Sequence, residues 1–324
     1  MPTMVAESNV ALVRVFIILQ MIGCFSFAFM IFSALVFPSV RRHPVWYNFC
    51  LSWVMFSLSY SLLSFAGQQF TLSSQTICKA QAAMVYAAPF LAGGSSIALV
   101  LQLLLNILAV LSHSPVKRSF PIISFSSIVV PWVMWTAIVI GVVVLIEQNP
   151  QLVSISHNGT FCIVIRSPVP RLTAIAAAVS SIAIVALEVV ISYLLYRHRA
   201  IKDIFRQSLA MAVRVFIFTA VAMTAAVIGM IFASTKERVV IFDVMIATIP
   251  VSTAVIFGTQ MDLWEGYKFW KRPCGRSSTE HDSILTTMAT MTVVSQRMMS
   301  IRRGSTSSSG SPCNPIGHPM ATAA

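Results

Sequence analysis

The sequence predicts an all-α fold, an integral membrane bundle of seven transmembrane helices with the N-terminus outside and the C-terminus in the cytoplasm. Three observations predict it. Hydrophobic residues make up 57% of 324 residues and charged ones only 10%, too little polar surface for a water-exposed shell. Apolar runs of roughly twenty residues recur, the length that crosses about 30 Å of hydrocarbon. Lys and Arg are distributed unequally between alternate gaps, the signature of topology. Strand-sized alternation is absent, which favours helices over a barrel.

The predicted spans are residues 11–37, 45–66, 80–111, 122–146, 172–196, 213–234 and 239–258. Residues 1–10 then form a short extracellular N-terminus and residues 259–324 a cytoplasmic segment. The first run has no basic stretch before it and is too long for a signal-peptide core, so it is expected to remain as a span. The third run is longer than a crossing needs and contains Pro89, Gly93 and Gly94, which predicts a tilt or kink. Pro131 and Pro250 are the other expected bend points. No internal repeat of the kind found in two-halved transporters is evident.

Orientation follows from charge. The gaps carrying Arg41, Arg42, Lys117, Arg118 and the run Arg197 to Arg214, together with the tail, hold sixteen of the 22 Lys and Arg. The opposite gaps and the N-terminus hold Arg14, Lys79, Arg166, Arg171, Lys236 and Arg238. The richer set belongs inside. Asn158-Gly159-Thr160 is a glycosylation sequon in a gap that this count assigns to the outside, so two unrelated cues agree. The net charge of +12 is therefore a matter of topology, with no nucleic-acid partner implied; the lipid bilayer is the expected partner.

Six cysteines are too dispersed for a disulfide scaffold. Only Cys78, at the entrance to span three, and Cys162, in the second outer loop, fall on the oxidising side, and a bridge between them is expected, with two free thiols as the alternative. Cys24 and Cys50 lie inside spans as small packing residues.

After span seven, Met261 to Arg272 interleaves aromatic and basic residues, as a helix on the membrane surface would. Cys274 follows, a palmitoylation candidate or a plain reduced thiol. Arg302 and Arg303 precede Ser305, Thr306, Ser307, Ser308 and Ser309, a phosphorylation candidate within a Ser/Thr-rich flexible tail.

Polar groups within spans are the sharper clue, because lipid penalises them. Glu188 is the one acidic residue well inside a span and is read either as a functional switch or as a structural hydrogen-bonding group. Asp243, near the outer end of span seven, either meets a polar ligand or sits solvated at the interface. Gln102 and Asn106 either join an inner polar network or bond across helices. All six histidines fall in loops or the tail. A membrane zinc hydrolase needs several near its spans, span seven has no Lys for a retinal Schiff base, and one Glu scarcely supplies a pump. No enzyme, metal or cofactor is expected.

The outer Cys at span three, the loop-two Cys, the basic third inner loop, the surface helix and the phosphorylatable tail together resemble a G-protein-coupled receptor. More narrowly, His43-Pro44-Val45-Trp46-Tyr47-Asn48, Phe65-Ala66-Gly67-Gln68 and Phe257-Gly258-Thr259-Gln260 resemble the orphan receptor-like seven-helix proteins of mushroom-forming fungi. Departures from the rhodopsin-like pattern are plain. Span three ends Asn106-Ile107-Leu108-Ala109-Val110-Leu111-Ser112-His113 without an acidic-Arg-Tyr triplet, and span seven lacks Asn-Pro-x-x-Tyr. The resemblance implies a receptor, expected in the plasma membrane, and an unknown small-molecule ligand is expected in the outer half of the bundle because an N-terminus of roughly ten residues is too short to form a separate ligand-binding domain. The receptor's transducer would be a heterotrimeric G protein facing Arg197, Arg199, Lys202 and Arg206. A seven-helix transporter or channel is the alternative.

Overall fold

The computed structural model describes residues 3–36, 42–67, 75–111, 120–156, 159–165, 167–197, 212–224, 227 and 240–259. Asn158, Arg199, Lys202, Arg206, Cys274 and Ser305 to Ser309 lie outside the described residues, as does all of the tail from residue 260.

The described elements run α1 (Thr3–Val36), α2 (Pro44–Phe65), α3 (Gln75–Leu111), α4 (Phe120–Gln148), a 3₁₀ turn (Pro150–Leu152), β1 (Val153–Ile155), β2 (Cys162–Val164) and α5 (Val169–Arg197). Then come α6 (Ala212–Thr224) and α7 (Val240–Gly258). Five of them, α1 to α5, are long and apolar enough to cross a membrane, and α6 and α7 are shorter apolar helices. This suits a multi-pass membrane protein. Helix α1 begins at Thr3, so most of the segment predicted as a separate N-terminus continues the first helix.

Local chemistry sets the ends of α2. His43 is its N-cap, the imidazole Nδ1 accepting from the Val45 amide at 3.4 Å, and Pro44 occupies the first turn, where a missing N–H costs nothing. At the other end Gly67 takes a positive φ of 66°, and its amide donates to Ser64 O at 3.0 Å, the left-handed stop that glycine adopts without strain.

Burial is inverted relative to a water-soluble protein. Helix α2, which carries Ser52, Ser57, Ser59 and Ser61 beside its aromatics, is the most buried of the long helices, whereas α4 has only 11% of its span buried. The outward side chains of α4, such as Ile122, Phe125, Val133 and Ile140, are apolar. A lipid bilayer is the surrounding such a surface suits.

Helix α3 is the central element, packing on α2, α4, α5 and the hairpin, while α1 packs on α2 and α7. It runs unbroken through Pro89. The glycine pair serves packing: a Cβ on Gly94 would lie 3.1 Å from the Pro131 ring of α4, and one on Gly93 would lie 2.9 Å from Ser180 Oγ of α5. Two adjacent residues therefore let α3 approach two different helices, which is how small residues act in lipid. The same device joins α1 to α7, where a Cβ on Gly23 would lie 2.6 Å from Pro250 Cβ. Gly23→Ala is expected to destabilise the bundle by about 1–3 kcal/mol through overpacking. Gly141→Ala, with nothing within 4 Å of the added carbon, is expected to be neutral or to gain up to about 1 kcal/mol of helix propensity. Thermal unfolding of the two variants in detergent checks the contrast.

The larger core is a continuous chain of rings. From the hairpin, Phe161 meets Tyr60 at 5.2 Å between centroids, Tyr60 meets Phe56 at 5.0 Å, and Phe56 meets Trp53 at 5.3 Å. Trp53 then meets Phe218 of α6 at 6.0 Å, and Phe218 meets Phe257 of α7 at 5.7 Å. Phe49 closes the cluster, touching Phe27, Trp53, Phe218 and Phe257. Phe49, Trp53, Phe56 and Tyr60 recur at three and four residues, so they form one stripe of α2, about 16 Å long at 1.5 Å per residue.

Candidate functional site: the hairpin end of the bundle

The connection between α4 and α5 folds as a two-stranded antiparallel hairpin, with Val153 opposite Val164 and Ile155 opposite Cys162. No strand is legible in the sequence here. Three-residue strands fall below the length at which alternation is visible, and what holds them is mostly the helices beneath. Gly159 turns the tip with φ 75°.

Residues Thr160 to Val164 are all buried, so this segment enters the bundle. Cys162 is bonded to Cys78 of α3, with Cα atoms 5.4 Å apart and a sequence separation of 84. The expected bridge is present. Gln81, one turn further along α3, is fully buried and bonds twice: its Nε2 donates to Tyr60 O of α2 at 3.0 Å, and its Oε1 accepts from the Cys162 amide at 3.1 Å. Two turns from Cys78, Tyr86 OH accepts from the Val164 amide at 3.2 Å. Helix α3 thus holds β2 through Cys78, Gln81 and Tyr86, the first two being neighbours on one face at a spacing of three residues.

The tip reaches the other side of the bundle. Thr160 Oγ1 donates to Asp243 Oδ2 in the first turn of α7 at 3.0 Å. Phe161 stacks on Phe16 of α1 at 5.9 Å. Asp243 is only 4% exposed. In place of the solvated interfacial carboxylate, one of the two expectations for Asp243, the structure has a buried one, which the hairpin covers and to which the Thr160 hydroxyl donates. At the rim, Lys79 Nζ and Glu147 Oε1 pair at 2.9 Å, linking α3 to α4; the Glu147 side chain is largely exposed, so the pair contributes little.

The remaining predicted residues lie elsewhere. Glu188 is buried in α5 and pairs with Thr219 of α6. Gln102 Nε2 donates to Asn106 Oδ1 at 2.9 Å on an exposed face, a bond within α3. Cys24 and Cys50 are buried free thiols, in keeping with packing roles. Arg197 ends α5. Polar residues that sequence reading passed over include Gln81 and Asn48, whose Oδ1 accepts from Trp132 Nε1 at 2.6 Å between α2 and α4. A neutral side chain in an apolar run gives little warning that it bridges helices. Among the described residues no group of three or more His, Cys, Asp or Glu is placed to hold a metal ion.

Replacing Gln81 by Leu is expected to cost about 1–3 kcal/mol, since the Cys162 amide stays buried with no acceptor. The loss should register as a lower unfolding midpoint under non-reducing conditions, and an unchanged midpoint would remove Gln81 from the account of how the hairpin is held.

Comparison with protein-family models gives no match to this sequence, and comparison with curated proteins gives none.

Proposed function

We propose that the chain is a receptor-like signalling protein of seven transmembrane helices in the plasma membrane, its N-terminus outside, sensing a small ligand in the outer half of the bundle. The observation that carries this reading is the buried hairpin. Through Phe161, Cys162, Val164 and Thr160 it touches α1, α2, α3 and α7 at once. A ligand that shifted the tip would bias the packing of four helices together. The ring chain that starts at Phe161 and ends at Phe257 gives that bias a route along the bundle, as a two-state arrangement requires.

The apolar helices α6 and α7 support the sixth and seventh spans, and the charge distribution supports the orientation. The basic stretch Arg197, Arg199, Lys202 and Arg206 is the proposed docking surface for a heterotrimeric G protein. The sequence motifs alone support kinship with the fungal receptor-like proteins.

The test is guanine-nucleotide exchange by purified G-protein heterotrimers on bilayers carrying the protein, read against a variant with Lys202 and Arg206 changed to Ala. Exchange above empty bilayers that the variant loses supports the reading; no exchange and no captured α subunit with any heterotrimer of the host argues against it. The transporter or channel reading is favoured by one observation, a water-sized space beside Glu188. Solute flux into proteoliposomes that depends on Glu188 would support it instead. Orientation has its own measurement: a glycosidase-sensitive gel shift is expected for the native chain and not for Asn158→Gln.

A further inference from the structure

Between α3, α5 and α6 lies a cavity of about 20 Å³ bordered by Leu103, Glu188, Ile191, Ser192, Val215 and Phe216. That is room for about one water, and Glu188 and Ser192 are the polar side chains on its wall. Glu188 is 8% exposed and lies more than two turns inside the end of α5.

Its partner carries the argument. Thr219 Oγ1 lies in hydrogen-bond contact with Glu188 Oε1 and also with the carbonyl oxygen of Val215, at 2.9 Å. A hydroxyl has one proton. A helical Thr can give that proton to the carbonyl four residues back, and where Thr219 does so its Oγ1 is left as an acceptor toward Glu188. Both contacts are then hydrogen bonds only if the Glu188 carboxyl supplies the second proton. An ionised Glu188 would set two acceptors against one proton and leave a charge in an apolar wall.

Among the described residues the titratable surroundings offer no substitute cation. Helix α3 has no titratable residue between Tyr86 and Leu111. The described part of α6 has only Arg214, whose Nη2 donates to Thr259 O at 3.0 Å. On α5 the nearest are Tyr193 and Tyr196, both exposed, and Arg197 at the helix end.

We propose that Glu188 is a proton-binding site that ties α5 to α6. With its proton, the carboxyl donates to Thr219 and holds the two helices together. When the O–H bond breaks, the proton passes to water in the adjoining cavity as hydronium and the electron pair stays on the carboxylate. The bond to Thr219 then loses its donor, and α6 separates from α5 as water enters to solvate the charge. This goes beyond the receptor reading and does not depend on it.

The test uses the full-length protein in lipid bilayers. Infrared spectra at neutral pH are expected to contain a carboxylic-acid C=O band that titrates away on alkalinisation and is missing at every pH in Glu188→Gln. Spin labels at Tyr193→Cys and Ile217→Cys, with Cys274 and Cys313 changed to Ser, are expected to move apart as the band disappears. In Glu188→Gln, whose amide still donates to Thr219, the label distance should stay short. Thr219→Val is expected to shift the band frequency without abolishing it, which reads the contact even where Glu188→Gln does not fold. Absence of a C=O band assignable to Glu188, or the same pH-dependent separation in Glu188→Gln, overturns the proposal.

Discussion

Changing Cys78 or Cys162 to Ala is expected to lower stability by about 2–4 kcal/mol and to loosen the hairpin without dismantling the helices beneath it. The bridge closes a loop of 84 residues, for which chain entropy alone gives about 4–5 kcal/mol. Most of that loop is α3 and α4, whose backbones stay hydrogen-bonded in lipid even when the bundle loosens, so less freedom is removed and the lower range applies. The double variant should be no worse than either single one, since both remove one bond. Unfolding midpoints in detergent and alkylation of the surviving thiol measure this. If the single variants match the native chain, the hairpin is held by Gln81, Tyr86 and Phe161 without need of the disulfide.

Phe49→Ala should cost about 3–5 kcal/mol, the range for removing a fully buried aromatic ring. Phe49 is 0% exposed, and its ring touches Phe27 of α1, Phe218 of α6 and Phe257 of α7. Its removal therefore leaves a hole where four helices converge. Phe49→Leu, which fills most of that space, should cost about 1.5 kcal/mol or less. A double-mutant cycle with Phe218→Ala is expected to give a coupling of about 0.5–1.5 kcal/mol beyond area burial. Additive losses would mean that the rings pack as independent apolar volumes and that no signal passes along them.

The helices themselves were legible because lipid imposes a simple rule: a run of apolar residues long enough to cross must bond its own backbone. The ends of α2 to α5 accordingly fall within a few residues of the predicted spans, except where α3 starts at Gln75, before the apolar run, since Gln75 to Lys79 form a first turn beyond the predicted edge. The Cys78 and Cys162 pairing was legible from compartment alone. The expected bend at Gly93 and Gly94 says nothing of their packing, because a glycine pair carries the same letters whether or not it admits a neighbour. Only the positions of Ser180 and Pro131 reveal that it does.

The sequence by itself determined a helical chain suited to lipid, where its apolar runs lie, and which two thiols meet, because length, hydropathy and compartment are properties of single segments. Tertiary structure alone decided that the α4–α5 connection turns inward as a hairpin, that Asp243 is buried under Thr160, and that Glu188 shares a hydroxyl with Val215. Each of these depends on which face of one helix meets which face of another. Neutral groups such as Gln81 and Thr219 acquire their roles from partners tens of residues away, and no local pattern encodes a partner.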